Sequence, residues 1–109
     1  MAYDEGTAQR LRDLLVDQDE VVEKKMFGGM VFMVRGNMCI GVNKETLMVR
    51  VGKENHNEAI SQPYARPMDF TGKPMQGFIF VDTEGYEADE DLEGWLKRGL
   101  DYVLTLPAK

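Results

Sequence analysis

At 109 residues the chain has room for one domain around one core, and 43% hydrophobic with 29% charged residues is an ordinary globular composition. The formal net charge of −6, from 19 acidic and 13 basic side chains, repels a phosphate backbone and argues against direct nucleic-acid binding. One cysteine, Cys39, excludes an internal disulfide, and a polar, acidic amino terminus with no long apolar run provides neither a signal peptide nor a membrane span, so a cytoplasmic address is expected.

Asp4 is placed to cap a helix whose apolar positions Ala8, Leu11, Leu14 and Leu15 recur at three- and four-residue steps, with Val22 near its exit. The period then changes to two. Met30, Phe32 and Val34 alternate with Val31 and Met33, and Arg35-Gly36-Asn37 turns the chain into a first hairpin. In the next strand the alternation puts Met38, Ile40 and Val42 on one face and Cys39 and Gly41 on the other. Asn43-Lys44-Glu45 turns again, and Leu47, Val49 and Val51 oppose Met48 and Arg50 in a third strand that Gly52 ends.

Residues 53–62 form a weaker helix anchored by Ala59 and Ile60 and stopped by Pro63. Arg66-Pro67-Met68-Asp69-Phe70 suits a short edge strand, where proline is tolerated, and Thr71-Gly72-Lys73-Pro74 a turn into a strand over 75–81. The closing helix is the clearest element. Leu92, Trp95, Leu96, Gly99, Leu100 and Val103 keep helical spacing, and Asp89, Glu90 and Asp91 suit the positive end of the helix dipole. Gly94 and Gly99 both weaken a helix, so close packing on the sheet is expected to account for at least one of them. The expected order is α-β-β-β-α-β-β-α, with about five strands.

Few residues suggest chemistry. Gly28-Gly29 lacks the strand-to-helix setting of a phosphate loop and reads as a bulge in the first strand. The single histidine, His56, lies among Glu54, Asn55, Asn57 and Glu58 and reads as part of an exposed helix face. With one cysteine in a different, apolar element, the chain offers no zinc spacing, and the acidic run over 82–93 lacks the ligand order of a calcium loop. Ser61 and the threonines have no histidine beside them in sequence, so no catalytic residue, cofactor or metal is expected.

The methionines carry more information. Helices on one side of a sheet cover one face, which leaves Val31, Met33, Cys39 and Met48 for a second, semi-apolar face. Two readings stand for it: a surface for self-association or a protein partner, or the packed core of a small curled sheet. On the first reading Met33 and Met48, with Arg50 and Arg66 at the rim, are the candidate partner-binding residues.

Taken in order, Lys25-Met26-Phe27-Gly28-Gly29, the segment ending Val49-Arg50-Val51-Gly52, Ala65-Arg66-Pro67-Met68, Gly72-Lys73-Pro74-Met75, and Trp95 through Leu104-Thr105-Leu106-Pro107 resemble the amino-terminal domain of the TfoX/Sxy family. Each motif is mostly turn and core; their order over about residues 10–107 is what makes the resemblance specific. It implies an α+β fold, an antiparallel sheet backed by helices in the two-layer manner of secretion-chaperone-like domains. It also implies a non-enzymatic regulator of natural competence that acts at promoters with the cyclic-AMP receptor protein, through protein contact and without a base-reading element. Full regulators of the family carry a second, carboxy-terminal helical domain, which a chain of this length does not include, so a stand-alone single-domain member is expected. The alternative expectation is a dimeric protein that holds a small ligand or a client peptide.

Overall fold

The computed structural model describes residues 3–69, 72 and 75–109. The first helix, α1 (Glu5–Leu14), begins as expected: the Asp4 carboxylate accepts from the Thr7 backbone N–H at 3.0 Å and from the Thr7 hydroxyl at 2.6 Å. These two bonds, the hydroxyl first, hold the Asp4 carboxyl below its ordinary range. Ala8, Leu11 and Leu15 are buried, whereas Leu14, expected beside them, closes the helix 38% exposed at the margin of the stripe.

The next element departs from expectation. Residues Val21–Met26 form a full strand, β1, where only the exit of the helix was expected. It is an edge strand in which Val22, Glu23, Lys24 and Lys25 are all exposed, so it has no buried face and leaves no alternation in the sequence. Val22, expected near the exit of the helix, is 61% exposed on this strand. A two-residue turn joins β1 to β2 (Gly29–Val34), with Met26 opposite Gly29. Phe27 and Gly28 between them have φ of 55° and 74°, the signature of a type I′ hairpin turn. Gly28-Gly29 is therefore the end of a hairpin and not a bulge.

The bulge lies further on. Between β2 and β3 (Asn37–Asn43) Phe32 pairs with Ile40 while Met33 pairs with Met38, leaving Cys39 as the extra residue. One added residue reverses the alternation. Met38 turns to the face away from the helices, and Cys39 joins Ile40 in the helix-facing core, the opposite of the strict period-two assignment.

Strand β4 (Thr46–Arg50) completes the meander, and β6 (Phe78–Val81) pairs with it after a crossover. That crossover contains a 3-10 turn (Lys53–Asn55), the short helix α2 (His56–Ile60) and the edge strand β5 (Ala65–Pro67). The strand order is β1-β2-β3-β4-β6-β5, antiparallel throughout, so the sheet has six strands and not five. The strand expected to run through Met68 and Phe70 stops at Pro67. Phe70, and the turn at Thr71, Lys73 and Pro74, lie outside the described residues.

All three helices pack on one face. The last, α3 (Asp89–Val103), buries Leu92, Trp95, Leu96 and Val103 there, and the Trp95 indole donates to the Gly85 carbonyl at 3.1 Å. Gly99 rests on the bulge: a Cβ at this position would stand 3.0 Å from the Cys39 carbonyl oxygen and 3.1 Å from its sulfur. The same Cβ at Gly94 would meet nothing, so only Gly99 has a packing reason. Beneath the helix, burial pushes the Cys39 thiol up to about 12. Among the described residues no helix is long and apolar enough to cross a membrane.

Candidate functional site

The face turned from the helices carries its own cluster, in which Val31, Met38, Met48 and Phe80 are buried together with Met68. Met68 arrives from just after β5, and its carbonyl accepts from the Met75 N–H at 2.9 Å, which ties the two methionines together beside this face. Met26, Phe27, Met33, Met75 and Phe78 surround the cluster half-buried. The two readings of this face thus divide by position, with core packing at the centre and partly open apolar surface at the rim.

Three of the four candidate residues lie on that rim and one does not. Met48 is fully buried and contributes no surface, because Met68 seals the middle of the face. Cys39, also expected on this face, was carried to the other by the bulge. Met33 stays half-buried on β2. Arg66, exposed on β5, is four strands away, about 19 Å at the usual interstrand spacing. Its guanidinium lies 5.0 Å from the ring centre of Phe80, its cross-strand neighbour, and pairs with Asp82 at 3.1 Å.

Arg50, the last residue of β4, is held differently. Its guanidinium carbon lies 5.4 Å from the ring centres of both Phe78 and Tyr102, so β6 supplies one ring and α3 the other. The backbone beside it is tied down. The Val51 and Gly52 N–H groups both donate to the Gly77 carbonyl, at 2.8 and 3.1 Å, and the Gly77 N–H donates to Nδ1 of His56 at 3.1 Å. His56 is consequently buried at 7% exposure and not on an open helix face; its polar sequence neighbours gave no hint of a backbone partner 21 residues away. Gly52, with φ of 86°, lies so close to the Tyr102 ring that a Cβ would run into it.

These constraints leave a cleft of about 510 Å³ at the end of β4, lined by Arg50 and Lys53 with Phe78 and Tyr102 among its walls. The aromatic clamp was not visible in the sequence, since its members come from three separate elements. Among the described residues, no three His, Cys, Asp or Glu side chains come together as a metal-binding group.

No curated protein and no solved structure matches this chain. The family model of the TfoX N-terminal domain matches residues 13–102, from within α1 to the last turn of α3, and so takes in every strand of the sheet. With most of its length inside that match, the chain belongs to the TfoX N-terminal domain family.

Proposed function

We propose that this protein is a non-enzymatic regulatory domain that acts on transcription of competence genes by contacting a protein, a regulator of the cyclic-AMP receptor protein type. The observation that carries the reading is membership of the TfoX N-terminal domain family over residues 13–102. The net charge of −6 supports protein contact over direct binding of nucleic acid. The contact surface in this proposal is the half-buried rim of the methionine-rich face, with Met33 at one side and Arg66 at the other, a span suited to a protein partner and too wide for a small ligand.

Binding of the purified cyclic-AMP receptor protein from the same source, followed calorimetrically, tests it. Met33→Glu and Arg66→Glu are expected to abolish or strongly weaken binding while circular dichroism stays unchanged. Wild-type binding by both folded variants would remove this face from the proposal. Met48 is unsuitable as a probe, because a charge there strikes the core and not the surface.

A second reading, a dimeric protein holding a small ligand or client peptide, is favoured by the Arg50 cleft. Its dimer would not form readily by strand addition at β1, where exposed Lys24 and Lys25 on the open edge discourage pairing with another strand.

A further inference from the structure

From the cleft at the end of β4 we infer that Arg50 binds a small anion, a molecule presenting a carboxylate or a phosphate. The inference does not rest on the regulatory reading, since it concerns the protein alone.

Its basis is the contrast between Arg50 and four of the other five arginines; the fifth, Arg35 in the β2–β3 turn, is also outside any ion pair among the described residues, but no aromatic ring holds it and it lines no cleft with a second cation. Arg10, Arg12, Arg66 and Arg98 each hold a carboxylate, of Asp89, Glu23, Asp82 and Glu58 respectively, at 2.5–3.1 Å. Arg50 is half-buried yet makes no ion pair and donates no hydrogen bond among the described residues. Its two ring neighbours attract the guanidinium through their π faces, and neither takes a hydrogen bond from its N–H groups. A guanidinium held near two rings, whose donors make no hydrogen bond among the described residues, is prepared for the two-pronged bond that a carboxylate or phosphate accepts, with less side-chain entropy to lose on binding than a freely mobile arginine has.

The surroundings agree in chemistry and in size. Lys53 adds a second cation and Gln76 an amide donor, and a cleft of about 510 Å³ is of small-molecule dimensions. Of its two carboxylates, Asp101 is engaged by Lys97 at 2.8 Å and Glu54 is exposed. Beside the cleft the chain is tied down: the Gly52 N–H donates to the Gly77 carbonyl, the Gly77 N–H donates to Nδ1 of His56, and Gly52 abuts Tyr102. Two other clefts are weaker candidates. The one beside Trp95 contains Arg98, already paired with Glu58, and the one beside α1 contains Arg10, already paired with Asp89.

The whole protein, labelled with ¹⁵N, is titrated with inorganic phosphate and separately with benzoate at constant ionic strength. The expected result is a saturable shift of the Arg50 side-chain Nε–H and of the Gly52 and Lys53 amides. Saturation by phosphate alone, benzoate alone or both supports the site and identifies which anion source it takes. Arg50→Gln is expected to weaken binding at least about tenfold and Arg50→Lys, which keeps the charge and loses the planar fork, by less. Arg35→Gln, in the β2–β3 turn, is expected to leave it unchanged. Should Arg50→Gln fail to fold, Arg50→Lys and Lys53→Gln carry the same comparison. Shifts that do not saturate with either anion, or affinities equal to wild type in the folded cleft variants, would overturn the inference and leave the partner-binding proposal standing.

Discussion

The two faces of the sheet are both buried at their centres, but they are built from different materials. The helix-facing side is filled by Phe32, Val34, Ile40, Leu47, Val49, Ile79 and Val81 and sealed by Leu11 of α1, Ala59 of α2 and Leu92 and Trp95 of α3, with Tyr86 from the turn before α3. The opposite side is filled by Met38, Met48 and Met68 with Val31 and Phe80, and its described cover outside the strands is Met68, Met75 and Phe27. Stiff, branched side chains on helices define one packing, whereas methionine adapts its shape to whatever is laid against it. The first face therefore specifies the fold, and the second is the one whose rim is able to accommodate a partner without disturbing it.

The contrast predicts graded effects. Met48→Glu, which places an unpaired charge at a fully buried site, is expected to cost more than about 4 kcal/mol and to leave little folded protein in a urea melt. Met33→Glu, on the half-buried rim of the same face, should cost less than about 1 kcal/mol; equal effects of the two would deny the distinction between centre and rim. On the helix-facing side, Phe32→Ala opens a cavity expected to cost about 3–5 kcal/mol. Met48→Leu, which conserves volume in the more adaptable face, should cost less than about 1.5 kcal/mol by the same measurement.

Gly99→Ala tests the fit between α3 and the bulge. The new methyl meets the Cys39 backbone at 3.0 Å, so a loss of about 1–3 kcal/mol is expected, against a small gain for Gly94→Ala on the open side of the same helix. Thiol labelling reads the same contact independently. Cys39 is fully buried with its thiol pushed up to about 12, so the native protein should resist alkylation at neutral pH, and Gly99→Ala should accelerate it by loosening the cover.

The smallest expected effect is electrostatic. Hydrogen bonds from Arg12 and Arg98 hold the Glu23 and Glu58 carboxyls below their usual 4.5. The unfolded chain then binds protons more readily than the folded one. Both pairs contribute stability above about pH 4.5 and lose it as the pH falls through their lowered folded values, with a modest slope because the pairs are solvent-accessible. Thermal melts from pH 7 to 3 should show a shallower decline for an Arg12→Gln, Arg98→Gln double variant than for wild type.

What could be read from the residues in order follows a physical line. Wherever an element buries one continuous stripe, as with Leu92, Trp95, Leu96 and Val103 in α3 or Leu47 and Val49 in β4, the spacing alone located it. Strand β1 was illegible because an edge strand with exposed side chains has no stripe to show. The facing of Met38 and Cys39 was misread because a bulge shifts the period without marking it in composition. Of the candidate site, Met33, Arg50 and Arg66 were legible as residues at a strand face or its rim; the burial of Met48 was not, since the side chain that covers it lies 20 positions along the chain.

By itself, then, the sequence determined the α+β class, the antiparallel meander, the closing amphipathic helix and the family, all of which rest on local periodicity and on the order of turns. Tertiary structure alone decided which face Cys39 serves, that His56 is buried against Gly77, and that Arg50 lies near the rings of both Phe78 and Tyr102 and donates no hydrogen bond among the described residues. Those outcomes depend on contacts between residues 21 to 52 positions apart, or on a register shift, and neither leaves a periodic trace in the chain.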